Sequence, residues 1–294
     1  MVHATQISEQ STVFSGRKTL LIRDNLVHFS SPKVMGIINV TPDSFYKGSR
    51  VEDEKELLGQ AGKMLEEGAV FLDVGGYSTR PGALEVPEKE EIQRSVWAIQ
   101  VLLRHFPQAW ISIDTFRSAV ARACVDAGAV MVNDVSGGSL DERLFATVAN
   151  LGVPYILMHM RGNPQTMQAL THYDDLVKDV IDYFHLRVEK LKSLGVKDIL
   201  LDPGFGFAKT VAQNFYLLEK LEAFHVFELP LMVGLSRKSM IWKTLSSHAE
   251  EALNGTTALH AVAVLKGVQL IRTHDVREAV EVVTLLEKMK CNRE

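Results

Sequence analysis

Residues 110–134 read WISIDTFRSAVARACVDAGAVMVND, and the fold can be predicted from the pattern in this stretch. Two apolar runs, 110–114 and 130–134, each end in a polar residue, and residues 118–127 between them have helical periodicity. A short, nearly continuous apolar run is typical of a parallel strand that is buried on both faces. The stretch therefore predicts a strand, a helix and a second strand parallel to the first.

The same pattern recurs along the chain. Eight apolar runs end in a polar or charged residue, and they cover 34–39, 70–73, 110–114, 130–134, 155–159, 199–202, 231–236 and 268–274. Segments with helical periodicity lie between them, for example 55–67, 90–106, 118–127, 173–194 and 278–290. Eight alternations of strand and helix favour a (β/α)8 TIM barrel, which is an α/β fold. A doubly wound open sheet is the competing fold, but the Gly-x-Gly-x-x-Gly turn expected after its first strand is missing.

A β-hairpin is predicted ahead of the first barrel strand. Residues 19–22 and 26–29 are apolar and flank the polar residues 23–25. Such a hairpin would cap the bottom of the barrel. No Pro- or Ser-rich linker divides the chain. We therefore expect one barrel domain over residues 1–294, in which residues 1–33 form an N-terminal extension and the hairpin.

Composition and charge exclude several classes of protein. The 294 residues include 36 acidic and 32 basic side chains, a net charge of −4 without long basic tracts, so a nucleic-acid partner is not expected. The N-terminus is polar and no apolar run approaches the ~20 residues that span a bilayer, so we expect neither a signal peptide nor a membrane partner. Cys124 and Cys291 lack metal-ligand spacing. Together these features predict a cytoplasmic protein.

The predicted strands end in polar side chains. In a TIM barrel the active site is built from the carboxyl ends of the strands and the loops that follow them. An Asp after a strand is often only the N-cap of the next helix, but a barrel has no structural need for many polar groups at its top. We therefore expect the following residues to converge on one mouth: Asn39, Asp73, Asp114, Asn133, Asp134, His159, Asp202, Ser236, Arg272 and His274.

Two kinds of chemistry are predicted at this mouth. The carboxylates of Asp114 and Asp202, with the amide of Asn133, can hydrogen-bond the edge of a flat heterocycle, which favours a nucleobase-like ligand. Arg272 and His274 are two residues apart on the last strand, so they share a face and predict an anion site. The N-terminus of the following helix would add to that site. The alternative is a surface arginine beside a solvated histidine.

Three loops carry residues suited to binding. Residues 41–45 combine turn chemistry with a carboxylate and an aromatic ring, and residues 75–83 form a long Gly-rich loop that carries Arg80. Residues 234–239 place Lys238 just after the seventh strand, where its ammonium can meet a ring carbonyl or an anion. From its position alone, Lys238 would also suit Schiff-base chemistry of the aldolase kind.

These motifs together resemble the dihydropteroate synthase family of pterin-binding enzymes. The resemblance extends from Val34 to the C-terminus. It rests on seven blocks in the family's order, which are GIINVTPDSF (36–45), DVGGYSTRPG (73–82), SIDT (112–115), NDVSGG (133–138), LDPGFGF (201–207), GLSRKS (234–239) and RTHDV (272–276). Any single block would be weak, whereas seven in order are highly specific.

The resemblance implies that 6-hydroxymethyl-7,8-dihydropterin pyrophosphate condenses with 4-aminobenzoate to give 7,8-dihydropteroate and pyrophosphate, with Mg²⁺ as the cofactor. It implies that the pterin lies deep in the barrel. The residues it assigns to the pterin are Asp114, Asn133, Asp202 and Lys238 at the ring edge, and Met158 and Phe207 as apolar walls.

For the leaving group, the resemblance assigns Asn39 to Mg²⁺ and pyrophosphate, and Arg272 and His274 to the phosphates. An amide oxygen suits Mg²⁺, which prefers oxygen ligands and keeps several waters. Asp114 and Asp202 would stabilise the positive charge that develops on the pterin methylene as pyrophosphate leaves.

The resemblance also implies that two loops close over the site, exclude water and form the 4-aminobenzoate pocket. The residues expected there are Asp43, Phe45, Thr79, Arg80 and Pro81, with Gly234, Lys238 and Ser239 beside them, and Asp43 and Arg80 are expected to take part in catalysis with Lys238. This chain departs from many relatives in having Tyr46-Lys47-Gly48 in the first loop and Tyr77 in place of Glu in the second. These changes put the ordering of the loops in doubt more than pterin binding.

Two alternatives to the synthase remain at this point. One is a pterin-dependent methyltransferase acting on a corrinoid protein, which would not need the lid loops or the phosphate site. The other is a noncatalytic pterin-binding paralogue, which would be expected to have lost some mouth residues. Cys124 lies on the apolar side of a predicted helix and is expected to be a core residue rather than a nucleophile. Segments 256–265 and 276–286 are rich in Ala and Val, and the resemblance implies a dimer through this region. We therefore expect a homodimer.

Overall fold

A computed structural model describes residues 19–40, 50–78 and 85–291 of the chain. Its main feature is a barrel of eight parallel strands in a single sheet. In sequence order these strands are β3 (Lys33–Asn39), β4 (Phe71–Gly75), β5 (Trp110–Asp114), β6 (Met131–Asp134), β7 (Tyr155–Met158), β8 (Ile199–Asp202), β9 (Met232–Val233) and β10 (Leu270–Thr273). Neighbouring strands pair in the order β8-β7-β6-β5-β4-β3-β10-β9, and a parallel bridge between Leu201 and Leu231 brings the two ends together. The predicted TIM barrel is confirmed.

Helices cover the outside of the barrel. They are α1 (Arg50–Glu66), α2 (Glu88–His105), α3 (Ser118–Asp126), α4 (Leu144–Leu151), α5 (Leu176–Ser193), α6 (Val211–Glu219), α7 (Ser239–Thr244), α8 (Leu253–Leu265) and α9 (Val276–Cys291), with short 3₁₀ segments at Met167–Ala169, Leu221–Phe227 and Ala249–Glu251. The helix predicted at 173–194 begins later, because the side chain of Asp175 caps α5 by accepting from the Lys178 N–H. Within the described ranges, no helix is both long enough and apolar enough to cross a membrane.

The predicted strand 231–236 is much shorter than expected. Only β9 forms a ladder, because the chain turns away after Gly234 and Arg237 adopts a left-handed φ of 54°. The turn is held in place by the guanidinium of Arg237, whose Nη2 donates to Asp275 Oδ1 at 2.7 Å and whose Nε donates to Oδ2 at 3.0 Å. Arg237 therefore joins the loops after β9 and β10 and presents Lys238 and Ser239 at the mouth.

The N-terminal hairpin closes the bottom of the barrel. Strands β1 (Thr19–Ile22) and β2 (Asn25–His28) pair antiparallel around a two-residue turn, in which Arg23 has a left-handed φ of 53°. Their apolar side chains pack on the lowest layer of the barrel interior, together with Phe29, and the members of this cluster are Leu20, Ile22, Val27, Phe29, Met35, Phe71, Val130, Met131, Ile156, Leu200, Met232 and Leu270. The predicted cap is confirmed, and in the described part of the chain the hairpin covers this end of the lumen.

Candidate active site

Strand register places polar side chains in one layer of the lumen. Asn39 pairs with Gly75, Gly75 with Asp114, and Asp114 with Asn133 across four adjacent strands. Because side chains alternate along a strand, these residues face the same way as the apolar floor residues two or four positions before them, such as Met35 and Phe71. The same alternation turns Met158, Asp202, Gly234 and Arg272 inward. The structure therefore brings most of the predicted strand-end residues together at the carboxyl end of the barrel.

An ion-pair network crosses this layer. Arg272 donates from Nε to Asp73 Oδ2 at 2.6 Å and from Nη2 to Asp114 Oδ2 at 2.7 Å. Asp73 Oδ2 also accepts from Asn133 Nδ2 at 2.8 Å. Asp73 is fully buried, and its second oxygen has no hydrogen-bond partner among the described residues. Asp73 thus links a cation and an amide from two other strands, a role that the sequence did not assign to it.

The bond to Asp73 fixes the orientation of the Asn133 amide. An amide group has one donating and one accepting end, and the hydrogen-bond network decides which end faces which way. Because the NH₂ group is bonded to the Asp73 carboxylate, the oxygen is the end that Asn133 offers to a ligand. Arg272 is similarly committed, since only its Nη1 makes no hydrogen bond to the described part of the chain.

Burial perturbs the titration of the three charged groups assigned to the pterin. Burial raises the pKa of Asp114 to about 7, against the opposing charge of Arg272. Burial also raises the pKa of Asp202, which the Gly204 N–H and the charge of Lys238 oppose. Burial lowers the pKa of Lys238 to about 8, and Asp202 partly offsets this effect. Groups that titrate near neutrality inside a cleft are typical of functional sites.

Lys238 and Phe207 form one side of the pocket. The Lys238 ammonium lies 4.3 Å from the centre of the Phe207 ring, within the range of a cation–π contact. Gly206 allows this approach, because a Cβ at that position would lie 3.1 Å from Lys238 Cδ. Phe207 and Met158 belong to a small apolar cluster on this side. The two predicted wall residues are therefore brought together beside the lysine.

The predicted anion site lies at the ends of β9 and β10. The ring of His274 is 3.0 Å from Ser236 Oγ, measured at Nδ1, and the His274 N–H donates to the same oxygen at 3.2 Å. Helix α9 begins two residues later, as the sequence predicted. Ser239 is the first residue of α7 and follows Lys238 directly. Gly234, His274 and Ser239 are thus placed around the rim of the mouth.

Two residues that were expected in the mouth lie outside it. Asp134 points away from the lumen, where its carboxylate accepts from the N–H groups of Ser136 and Gly138 and from the Tyr155 hydroxyl. His159 is buried behind the strand, where its ring is 4.7 Å from that of Tyr183. The expectation was wrong because each residue directly follows an inward-facing one, and alternation turns it outward.

Five predicted residues lie outside the described part of the chain, namely Asp43, Phe45, Thr79, Arg80 and Pro81, as do the variant residues Tyr46 and Lys47. Tyr77, the second departure from the family, is described and buried. Its ring meets Phe116 edge-on at 5.1 Å, and the Arg117 guanidinium lies 5.3 Å from its centre. Arg117 in turn donates to the buried carboxylate of Glu91 at 2.7 Å. Tyr77 is therefore anchored by its neighbours.

Two further expectations concern Cys124 and a metal. The Cys124 thiol is buried in the core and burial raises its pKa to about 12, which confirms its assignment as a core residue and makes it a poor nucleophile. In the described ranges, no group of three or more His, Cys, Asp or Glu side chains is placed to hold a metal ion. Asn39, the residue expected to hold Mg²⁺, is the last residue of β3, and its Oδ1 lies 3.7 Å from the place a Cβ would take on Gly75.

Comparisons with known proteins agree with the geometry of the site. The family of pterin binding enzymes matches residues 35–274. The dihydropteroate synthase of Escherichia coli K12 is 42% identical over 270 residues, which is 91% of this chain and 95% of the relative. The Synechocystis enzyme of the same name is 43% identical over 259 residues, 87% of this chain and 89% of the relative. Methyltransfer to a corrinoid protein is therefore not the activity that the relatives support.

Solved structures give the same result. The dihydropteroate synthase of Yersinia pestis, in complex with a sulfonamide drug, superposes with a TM-score of 0.86 at 42% identity and covers 93% of this chain and 99% of its own. That of Xanthomonas albilineans, with 4-aminobenzoic acid, has a TM-score of 0.85 at 36% identity and covers 93% of this chain and 98% of its own. The chain therefore belongs to the pterin-binding enzymes and, among them, to the dihydropteroate synthases, which are transferases of folate biosynthesis.

Proposed function

We propose that the mouth of the barrel is where this chain condenses 6-hydroxymethyl-7,8-dihydropterin pyrophosphate with 4-aminobenzoate. The observation that carries the proposal is the convergence of Asp114, Asn133, Asp202 and Lys238 on a lumen that the hairpin closes from below. A flat ligand that enters such a lumen presents its edge to the polar layer. The products are 7,8-dihydropteroate and pyrophosphate.

The polar layer complements the edge of a pterin. A pterin carries ring N–H groups and an exocyclic amine that donate, and ring nitrogens and a carbonyl that accept. Ionised Asp202 and the oxygen of Asn133 accept from the donors, and the Lys238 ammonium donates to an acceptor. Met158 and Phe207 pack on the faces of the ring and keep water away from it.

The chemical step separates charge, and the site stabilises the charges that develop. The bond between the pterin methylene carbon and the pyrophosphate oxygen breaks, and both electrons go to the oxygen. The carboxylates of Asp114 and Asp202 stabilise the positive charge on the carbon, because they are held nearby in a site of low dielectric constant. The nitrogen of 4-aminobenzoate then forms the new bond to that carbon and releases a proton to water.

The leaving group is assigned to the ends of β9 and β10. Arg272 Nη1, the ring of His274 and the N-terminus of α9 supply donors and positive potential at the ends of β9 and β10. Arg272 is also ion-paired with Asp73 and Asp114. Its guanidinium therefore couples the charge on the leaving group to the carboxylate that faces the pterin.

The donors at the mouth fit a magnesium cofactor. Asn39 contributes one hard oxygen, and the described residues add no further cluster of ligands, which suits an ion that takes its other ligands from phosphate and water. When bound, Mg²⁺ would neutralise negative charge on the departing pyrophosphate. Asn39 is the residue that would hold it.

The second substrate belongs at the rim. The Xanthomonas albilineans relative was solved with 4-aminobenzoic acid, and the Yersinia pestis relative with a sulfonamide drug. We assign the pocket of 4-aminobenzoate to Lys238 and Ser239 together with the two loops that contribute the remaining predicted residues, Asp43, Phe45, Thr79, Arg80 and Pro81.

We also propose a cytoplasmic homodimer that associates through α8 and α9. These helices pack on each other and leave apolar side chains exposed, including Val262, Leu265, Leu285 and Met289. Such a patch favours contact with a second copy. A single species of monomer mass in sedimentation at micromolar concentration would reject the dimer.

Three variants test the proposed site. Asp114→Asn and Asp202→Asn each remove one carboxylate charge at the pterin edge, and Lys238→Ala removes the ammonium. Each is expected to lower kcat/KM by about a hundredfold or more, because a charged hydrogen bond to the reacting molecule is lost. Asp174→Asn, at a fully exposed carboxylate, is the control and should retain wild-type activity. Wild-type turnover in any of the three site variants would remove that residue from the mechanism.

A further inference from the structure

A buried lysine lies behind the pterin pocket. Lys209 is 4% exposed, and its ammonium is bonded to three groups. Nζ lies 2.9 Å from His159 Nδ1, 3.0 Å from the carbonyl oxygen of Gly204 and 3.1 Å from that of Phe207. An ammonium has three N–H donors, so this arrangement satisfies it completely. Burying an ammonium is costly even when all of its donors are bonded, because the charge is removed from water. Its position therefore indicates a role in the surrounding structure.

The two carbonyls belong to the turn that follows β8. Residues 203–208 wind around the ammonium with left-handed φ values of 72° at Gly204, 81° at Gly206 and 49° at Ala208. Ala208 carries a side chain, so its conformation is strained and needs outside support. The Tyr173 hydroxyl supplies one support by donating to the Ala208 carbonyl at 2.9 Å. Asn214 supplies a second, since its Oδ1 accepts from the Gly206 N–H at 2.7 Å, and Lys209 adds two more by binding two carbonyls of the same turn.

The turn forms part of the candidate active site. Its first N–H after the proline, that of Gly204, donates to Asp202 Oδ1 at 2.8 Å. At its far end, Phe207 lies against Lys238, and Gly206 provides the space for the lysine chain. The shape of residues 203–208 therefore sets the position of one pterin-edge residue and one apolar wall.

Lys209 also contributes charge behind the pocket. The groups whose charges act on Asp202 include Lys238, Arg272 and Lys209, and all three lower the pKa of that carboxyl. Burial lowers the pKa of Lys209 itself to about 7, with Asp202 opposing this effect and Lys238 and Arg161 adding to it. His159 is kept neutral, because burial and the charges of Lys209, Arg161 and Arg187 lower its pKa. Below neutral pH the lysine is therefore the ammonium and the histidine the acceptor.

We propose that Lys209 is a positioning residue of the pterin site, whose ammonium holds the turn 203–208 so that Asp202 and Phe207 meet the pterin. The proposal rests on the proposed function of the mouth as the pterin site. It predicts an effect on the pterin substrate and little effect on 4-aminobenzoate, because the turn positions Asp202 and Phe207 at the pterin and contains none of the residues assigned to 4-aminobenzoate.

The test compares Lys209→Met, which keeps the length of the side chain without its donors, with Lys209→Arg, which keeps the charge. The dissociation constant of 6-hydroxymethylpterin is measured by calorimetry at about pH 6, where wild-type Lys209 is charged. KM for 4-aminobenzoate and thermal unfolding are measured on the same samples. Lys192→Met, at an exposed lysine on α5, is the matched control.

Lys209→Met is expected to weaken pterin binding about tenfold, since two carbonyls and a histidine nitrogen lose their donor. KM for 4-aminobenzoate should stay within about twofold, and Lys209→Arg should recover part of the lost affinity. Lys209→Gln replaces the methionine variant if the latter does not fold. A folded neutral variant with wild-type pterin affinity would overturn the proposal, and so would failure of both neutral variants to fold. If the wild-type protein binds no pterin, the proposed function is rejected. Failure of the proposed function is therefore distinguishable from failure of the role proposed for Lys209.

Discussion

Asp73 and Arg272 are 199 residues apart in the chain, and Asp73 Oδ2 accepts from Arg272 Nε at 2.6 Å in the middle of the barrel. The same oxygen accepts from the amide of Asn133, so one buried atom orients two groups of the candidate site. The neighbouring nitrogen of Arg272 is bonded to Asp114. The charge state and the geometry of the pterin layer are therefore set jointly by residues on four different strands.

Asp73→Asn should destabilise the fold as well as the site. The amide accepts more weakly than the carboxylate and removes the fully buried one of the two charges paired with Arg272, so we expect a loss of about 3 kcal/mol in the free energy of unfolding. Urea titration measures this loss, and Asp174→Asn at an exposed carboxylate is the control. An unchanged unfolding midpoint would show that the network does not hold the barrel together.

The pH dependence of kcat/KM for the pterin substrate should be bell-shaped. The raised pKa of Asp114, about 7, means that its carboxylate forms only as the pH rises through that value. The lowered pKa of Lys238, about 8, means that its ammonium is lost as the pH rises further. Activity should therefore fall on the acidic side near pH 7 and on the alkaline side near pH 8.

The variants identify the two limbs. Lys238→Ala should remove the limb near pH 8 and leave the loss of pterin affinity that follows deprotonation of Lys209, and Asp114→Asn should remove the acidic limb, each at much lower activity. The contribution of Asp114 to stability should change with pH in the opposite direction to its contribution to activity. Because its folded pKa lies above the unfolded value of 3.8, its contribution to stability increases as the pH falls from about 7 towards 4. A limb near pH 8 that persists in Lys238→Ala would exclude Lys238 as its source.

Gly206→Ala, compared with Gly195→Ala, separates the effect of backbone strain from that of contact between a new Cβ and Lys238. The new Cβ would lie 3.1 Å from Lys238 Cδ at a φ of 81°, so we expect a loss of about 1 kcal/mol in stability together with weaker pterin binding. Gly195→Ala is a close control, since Gly195 has a φ of 90° but nothing within 4 Å of its Cβ position. It should lose similar stability with unchanged pterin affinity. Equal pterin affinity in both variants would argue against the contact with Lys238.

Tyr77 is expected to act through its ring rather than its hydroxyl. Among the described residues the hydroxyl makes one long hydrogen bond, accepted from Gln165 Nε2 at 3.4 Å, whereas the ring packs on Phe116 and lies under Arg117. Tyr77→Phe should therefore leave stability within about 0.5 kcal/mol of wild type, and Tyr77→Ala should cost about 3 kcal/mol. Calorimetric melting distinguishes the two, and a large loss in Tyr77→Phe would contradict the packing argument.

Much of the fold could be predicted from the sequence, because strands buried on both faces read as continuous apolar runs. The convergence of Asp114, Asp202 and Arg272 on one mouth was predicted from their places at or near the ends of such runs. Where a run ends in two polar residues, as at Asn133 and Asp134, composition does not say which one faces the lumen, and only the register decides. No role for Lys209 could be predicted from the sequence, because this residue follows the turn after β8 rather than a strand. Its burial depends on His159, which lies 50 residues away in the chain, and on Gly204 in the turn.

Counting both products of a single reaction tests the synthase site most directly. Purified protein is given 6-hydroxymethyl-7,8-dihydropterin pyrophosphate and Mg²⁺, with and without 4-aminobenzoate, and pyrophosphate and 7,8-dihydropteroate are quantified in each sample. If the barrel mouth is the synthase site, the two products form in equal amounts. Pyrophosphate release then depends on the amine and is lost in Asp202→Asn. Tight pterin binding without turnover under either condition would contradict it and would favour a noncatalytic pterin-binding protein.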